Sequence, residues 1–289
     1  MQWPKRIANL LRSDIAKGMI TKVERPHYFY LGESLAMTKL RNGHFIYVDP
    51  QEESVCSHLI AHGDWEPWIY NIVVDLVKPG DHVVEVGGHV GFYTLGLAAK
   101  VGPTGSVLTF EANPRLAALA SRSLRFNGYS AWAKVVQKAV SDKAGVLKFA
   151  LSRQFGGGGH LYIGKQTLGA DGEVLEVNAV RLDDLKLKNI RLLRIDAEGS
   201  EALILGGATQ VLAQPDIVVC MEWDLVQMRS RSKPADFVKS LTDMGFHFWK
   251  ITTASKLEPV EPDAMLSLKP CDVLVAREPP LGASLPVAP

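Results

Sequence analysis

Beyond residue 65 the chain alternates between two hydrophobic rhythms. Short, nearly continuous apolar runs predict buried strands at 82–86, 106–111, 133–138, 192–196, 217–222 and 272–276. Three- and four-residue spacing between them predicts helices near 68–77, 91–99, 114–127, 201–207 and 235–244. Strands apolar on both faces that alternate with helices indicate an α/β protein, its mostly parallel sheet covered by helices. Upstream the pattern differs. Trp3, Ile7, Leu10, Leu11, Ile15 and Met19 share one helical face, with Lys5, Arg6, Arg12 and Lys17 off it. Residues 34–40 and 44–48 flank Asn42-Gly43, which predicts a hairpin with a type I′ turn. The expected organisation is a helix-and-hairpin cap over residues 1–62, a main domain over 63–278 and a Pro-rich, disordered tail over 279–289.

Composition narrows the classes. The 289 residues are 47% apolar and 22% charged, and 32 basic against 31 acidic side chains leave a formal charge of +1. No global field draws such a chain to nucleic acid. No stretch approaches the length of apolar sequence that a membrane span needs. The N-terminus, charged throughout, does not read as a secretory signal. Cys56, Cys220 and Cys271 lie far apart without a C-x-x-C pair, so a disulfide framework or a cysteine zinc site is not expected and a cytoplasmic location is.

The sharpest local feature is Val84-Glu85-Val86-Gly87-Gly88-His89-Val90-Gly91-Phe92, where a buried strand turns into a helix. Glycines there let the backbone approach a ligand, and the helix start offers free N–H groups to an anionic part of it. The dinucleotide fingerprint fails in register, because His89 stands at its second glycine. Glu85 would repel a pyrophosphate but suits a ligand with an ammonium group, such as S-adenosylmethionine. Glu111 ends the second strand, where a carboxylate accepts ribose hydroxyls. The third strand ends at Val140-Ser141-Asp142, which would flank an adenine, with Asp142 accepting from its amino group.

These residues resemble a class I S-adenosylmethionine-dependent methyltransferase, more narrowly the FkbM family, over roughly residues 63–223. The blocks that carry the resemblance are Gly63-Asp64-Trp65-Glu66-Pro67, the 84–94 segment through Tyr93-Thr94, Phe110-Glu111-Ala112-Asn113-Pro114, Ala139-Val140-Ser141-Asp142 and Val180-Arg181-Leu182-Asp183-Asp184-Leu185. The most specific is Arg194-Ile195-Asp196-Ala197-Glu198-Gly199-Ser200-Glu201. Glu85 stands where the family more often has Asp, and His89 where it more often has Asn. The resemblance implies a Rossmann-like fold with a seven-stranded, mostly parallel sheet. It also implies a cofactor site drawn from Glu66, Glu85, Gly87, His89, Gly91, Thr94, Glu111, Asn113, Val140, Ser141, Asp142 and Asp196.

Methyl transfer from a sulfonium is an in-line displacement, and an alcohol acceptor also needs a base or a metal ion. Asp196 and Glu198, at the carboxyl end of the fourth predicted strand, are candidate catalytic carboxylates, pointing the same way if the segment is extended. With Glu222 and Asp224 they would form an oxygen site for Mg²⁺, Asp196 and Glu222 being its foremost ligands. The competing expectation is that some of them only cap the helices that follow. The loop Arg153-Gln154-Phe155-Gly156-Gly157-Gly158-Gly159-His160 reads as a lid or a plain flexible connection, with His160 a candidate base. The preferred expectation is O-methylation of a hydroxyl on a sugar, glycan or natural product by a possible homodimer. Amine N-methylation, a nicotinamide-dependent oxidoreductase and a non-catalytic cofactor-binding protein are the alternatives.

Overall fold

The computed structural model describes residues 27–164 and 172–285, so the predicted amphipathic helix at 3–19 lies outside the described residues. The first described elements are β1 (Tyr28–Gly32), β2 (Leu35–Lys39) and β3 (Phe45–Val48), an antiparallel three-stranded sheet. The hairpin stands where the sequence predicts it, but its turn differs. Lys39 pairs with Phe45, the Gly43 N–H donates to the Leu40 carbonyl and only Gly43, at φ +93°, is left-handed. Asn42 is held instead by its side chain, which accepts from the His44 N–H and donates to the Tyr70 hydroxyl. The result is a longer loop closed by a left-handed glycine rather than a type I′ turn. Two helices follow, α1 (Val55–His62) and α2 (Pro67–Asp75), the first of which the sequence pattern did not announce.

The main sheet has eight strands in the order β14-β13-β15-β12-β11-β4-β5-β6. They are β4 (His82–Val86), β5 (Ser106–Glu111), β6 (Ala133–Gln137), β11 (Ile190–Ile195), β12 (Val218–Trp223), β13 (His247–Ile251), β14 (Leu257–Val260) and β15 (Cys271–Ala276). From β12 to β6 the strands run parallel, whereas β15, β13 and β14 are antiparallel. Successive residues go to opposite faces: Val83, Leu192 and Val218 join one core cluster, Val84, Leu193 and Val219 the other. That is why the strand runs read as continuously apolar. The helices that cover the faces include α3 (Phe92–Val101), α4 (Pro114–Phe126), α5 (Glu201–Gly206), α6 (Thr209–Leu212), α7 (Leu225–Met228) and α8 (Pro234–Asp243). Asn113 sets the start of α4, its side chain accepting from the N–H groups of Arg115 and Leu116 ahead of Pro114.

A second, four-stranded sheet sits beside the main one in the order β7-β10-β8-β9. It comprises β7 (Ala139–Val140), β8 (Gly145–Ser152), β9 (His160–Leu161) and β10 (Gly172–Val180), and the glycine loop connects β8 to β9. The predicted disordered tail needs correction as far as residue 285. Pro280 is buried, Ala283 packs on the core and the Trp249 indole N–H donates to the Ser284 carbonyl at 2.8 Å. These contacts give the segment an apolar anchor that its composition does not show; residues 286–289 lie outside the described residues.

Candidate active site

A cavity of about 420 Å³ opens at the carboxyl ends of β4, β5, β11 and β12, the crevice in which open α/β sheets hold ligands. Gly87 and Gly88 form its floor. Gly87 has φ +84°, and a Cβ there would overlap the carbonyl oxygen of Asp196; one on Gly88 would overlap the Thr109 side chain. Gly91, at φ +93°, packs instead on Ala120 and does not line the cavity. His89 is left-handed at φ +48°, a conformation that Asn and His tolerate better than most residues. This explains how His stands where the family more often has Asn. Its ring lines the cavity, neither nitrogen having a hydrogen-bond partner, and burial lowers its proton affinity.

Glu111 fits a ribose-binding role. Its carboxylate accepts the His89 N–H at 2.8 Å and the Asn113 N–H at 2.7 Å, and burial raises its pKa to about 7. With two of its roughly four acceptor positions occupied, it keeps capacity for a vicinal diol. Asn113, Val140 and Glu66 also line the cavity. Ser141 and Asp142 do not: the Ser141 hydroxyl donates to Asp142, and the two pack against Gly207. The strand that carries Val140 pairs with β10, which turns the following residues away from the crevice.

The expected contact of Glu85 with a cofactor ammonium also needs correction. Glu85 is fully buried and outside the cavity wall. It accepts from Thr94 Oγ1 at 2.5 Å and Thr109 Oγ1 at 2.9 Å, and pairs with Arg194 at 3.4 Å. Thr94 is thereby likewise consumed within the fold rather than lining the cavity. Arg194, which sequence reasoning did not single out, is the hub. Its guanidinium lies 3.7 Å over the Tyr93 ring and donates to Asp196 Oδ2 at 2.9 Å. Burial would strip its proton, but Asp196, Tyr93 and Glu85 hold it firmly charged. The available signal was a lone arginine in the apolar run Leu192-Leu193-Arg194-Ile195.

Carboxylates crowd the opposite side of the cavity. Glu66, Asp196, Glu198, Glu222 and Asp272 all line it, Asp272 having gone unnoticed in the sequence. Burial first, then mutual repulsion centred on Asp196, raises Glu198 to about 7, Asp272 to about 8 and Glu222 to about 9. Glu198 is left-handed at φ +51°, so the segment is not extended; the turn still brings Asp196 and Glu198 into the same cavity. Glu201, rather than Glu198, bonds the backbone: it accepts from the N–H groups of Ala197 and Gly199, and burial raises it to about 7. Asp224 caps α7 by accepting from Val226 and Gln227, which removes it from the expected metal set. Oxygens of Asp196, Glu198 and Glu222 all lie within 4.8 Å of one another.

The glycine loop roofs the cavity with Phe155 and Gly156 to Gly159. It is pinned by Glu52, which accepts the Gly156 N–H at 3.1 Å. Burial pushes Glu52 up, but the nearby His89 and its N–H and hydroxyl donors outweigh this and hold its carboxyl low. His160 does not reach the cavity. Its Nδ1–H donates to the Gly158 carbonyl at 2.8 Å, which folds the ring back on its own loop.

The raised carboxyls make a direct prediction. From about pH 4 upward the folded chain binds more protons than the unfolded chain, whose carboxyls titrate near 4. Stability contributed by Glu111, Glu198, Glu201, Asp272 and Glu222 is therefore complete below that pH and lost as pH rises through 7 to 9. The melting temperature of the ligand-free protein should fall steadily from pH 5 to pH 9; a flat or rising profile would contradict the buried cluster.

Residues 85–248 match the methyltransferase FkbM domain family. Over 107 residues the chain is 30% identical to a protein-L-isoaspartate O-methyltransferase of Methanopyrus kandleri, covering 35% of this chain and 47% of that protein. Over 76 residues it is 41% identical to one from Korarchaeum cryptofilum, covering 24% and 34%. The chain thus spans less than half the length of these relatives. A solved FkbM methyltransferase from Methylobacillus flagellatus aligns at a TM-score of 0.43 and 12% identity, over 69% of this chain and 44% of that one. No helix among the described residues is long and apolar enough to cross a membrane. The family match spans more than half of the chain, including the glycine turn and the Asp196–Glu201 block: the chain belongs to the FkbM family of methyltransferases.

Proposed function

We propose that the protein methylates a hydroxyl oxygen, on a sugar, glycan or natural product, with Glu198 as general base. The observation that carries this reading is Glu198 itself. It lines the cavity, its backbone is held left-handed and burial beside Asp196 brings its carboxyl to about 7. A base of that strength is matched to taking a hydroxyl proton at neutral pH, whereas an amine acceptor needs little such help. Backbone strain of this kind is retained where the surroundings enforce it. Asp196, locked by Arg194, would orient the acceptor. Gly87, His89, Glu111, Asn113, Val140 and Glu66 would hold the cofactor, whose sulfonium supplies the methyl group. Both relatives are O-methyltransferases by name, which also supports an oxygen acceptor.

A second reading rests on the three carboxylates Asp196, Glu198 and Glu222. Their all-oxygen donor set suits Mg²⁺, which would lower the pKa of the acceptor hydroxyl directly. One experiment separates these readings: ¹³C-methyl S-adenosylmethionine offered with hydroxylated and amine-bearing glycosides, with Mg²⁺ or with EDTA. The expected product carries a methoxy carbon and forms in EDTA, and Glu198→Gln lowers transfer by about 10²–10⁴ while still binding S-adenosylhomocysteine. Loss of transfer in EDTA would favour the metal. An N-methyl product, or full activity of the Gln variant, would overturn the base assignment.

A further inference from the structure

The cavity changes character along the main sheet. Phe110 pairs with Val86, Val86 with Ile195 and Ile195 with Met221. The residues that follow them, Glu111, Gly87, Asp196 and Glu222, therefore form one row across β5, β4, β11 and β12. Asp272 extends the row onto β15 by pairing directly with Glu222. From Glu111 to Asp272 the row crosses four strand spacings, about 19 Å. S-adenosylmethionine reaches only about 10 Å from its ribose hydroxyls to its methionyl nitrogen at ordinary bond lengths. With the ribose at Glu111, the cofactor ends short of β15, and the Glu222–Asp272 end of the cavity falls to the acceptor.

Like charges directly opposite on paired strands repel, and no cation of the protein offsets these two. Among the described residues no basic side chain forms an ion pair with Glu222 or Asp272. Arg194 is committed to Glu85 and Asp196, and Lys138 follows β6, past the ribose end of the cavity. A separate observation points to a ligand. Tyr93, on α3, lines the cavity at 4% exposure, and its hydroxyl has no hydrogen-bond partner. Asp272 lies within electrostatic reach of that hydroxyl. Glu222 Oε2 is likewise buried without a partner. Buried polar atoms are seldom left in this state unless something else is to bind them. Each of the three groups offers an acceptor, and a primary ammonium has three donors and no acceptor. We infer that Glu222, Asp272 and Tyr93 form a subsite for a primary ammonium on the acceptor, whose methylated hydroxyl belongs to an amino sugar or amino alcohol. This rests on the oxygen-acceptor reading above: Glu198 serves the hydroxyl and the subsite anchors the amine. Asp272 stands outside the three carboxylates that suit a metal ion, which makes it the residue to test.

The test is titration calorimetry of the full chain, saturated with S-adenosylhomocysteine, in EDTA at pH 7. The probes are methyl glucosides with an amino group at C2, C3 or C6, their N-acetyl forms and the parent glucoside. At least one amino glycoside should bind about tenfold tighter than its N-acetyl form and the parent, the scale of hydrogen bonds to charged groups. Asp272→Asn should bring that ratio close to one and leave the affinity for S-adenosylhomocysteine unchanged. Tyr93→Phe, which removes only the unpartnered hydroxyl, should lower the ratio several-fold and keeps the test valid if Asp272→Asn does not fold. No preference for any amino glycoside, or a preference that survives in the folded variants, would overturn the inference. So would an Asp272→Asn variant that loses S-adenosylhomocysteine instead, because the cofactor's own ammonium would then occupy the subsite. Transfer of a ¹³C-methyl group to the same probes separates the two readings. A methoxy product without amine preference overturns the subsite alone, whereas a preferred amine that itself gains the methyl group overturns the oxygen acceptor.

Discussion

Replacing Gly87 by alanine is expected to destabilise the fold by about 2–5 kcal/mol and to eliminate binding of S-adenosylhomocysteine. Two independent penalties meet at this residue. Its φ of +84° lies in the left-handed region, and the added methyl would overlap the Asp196 carbonyl oxygen and sit 2.8 Å from its carbonyl carbon. The obstacle is backbone, so no rotamer change relieves it. Neither strand can retreat: the Asp196 N–H donates to the Val86 carbonyl at 2.9 Å, and the Gly87 N–H donates to the Phe110 carbonyl at 2.9 Å. Gly128→Ala is the matched control. It has φ +80° but open space around it, so it should cost about 1 kcal/mol and leave binding intact. Urea unfolding and titration calorimetry on both variants check this; parental stability and affinity in Gly87→Ala would refute the close approach.

The second large effect is expected at Arg194. Arg194→Met preserves much of the volume but leaves Glu85 buried without its cation and frees Asp196, at a cost of about 3–5 kcal/mol. The pH dependence gives the cause. Burial already raises the Glu85 carboxyl, opposed chiefly by Arg194. Without the guanidinium its folded pKa rises further above the unfolded value near 4.3. A raised carboxyl stabilises the fold below the unfolded value and loses that contribution as pH rises. The deficit of Arg194→Met should therefore be small near pH 4–5 and complete by pH 8. Adding Glu85→Gln should recover much of the loss, because it removes the stranded charge. A pH-independent deficit, unchanged in the double variant, would mean that Arg194 acts only through packing on Tyr93.

The parts of this fold legible in the sequence are those whose physics is local. The bounds of β4 and β5 coincide with the apolar runs because these strands are buried on both faces and end at glycine or a helix cap. The second sheet escaped notice because β8 is exposed over its first half and buried over its second, which produces no clean period. β14 carries Pro259, a residue that weakens any strand reading and is tolerated because β14 is the sheet edge. At the site, the placement of Glu111 and Gly87 beside the cavity was legible, since it depends on their own strand-to-helix turns, whereas that of Gly91 was not. Glu85 was misread because what neutralises it comes from elsewhere: Thr94, Thr109 and Arg194 lie 9, 24 and 109 residues away. Glu201 as the backbone-binding carboxylate was not legible for a smaller reason: only the left-handed turn at 198 decides which of the two neighbouring carboxylates turns toward the backbone.

The position of β15 has a consequence for synthesis. It is the last strand of the sheet to leave the ribosome, yet it lies between β12 and β13, pairing antiparallel with both. Until residues 271–276 have emerged, β12 has an open edge and the β13–β14 hairpin has no neighbour to join. The parallel half of the sheet, which carries the glycine turn and Asp196, can assemble earlier from strands already made. A chain made only as far as β14 therefore leaves β12 with an unpaired, apolar edge. Such an edge is a template for mispairing with other chains.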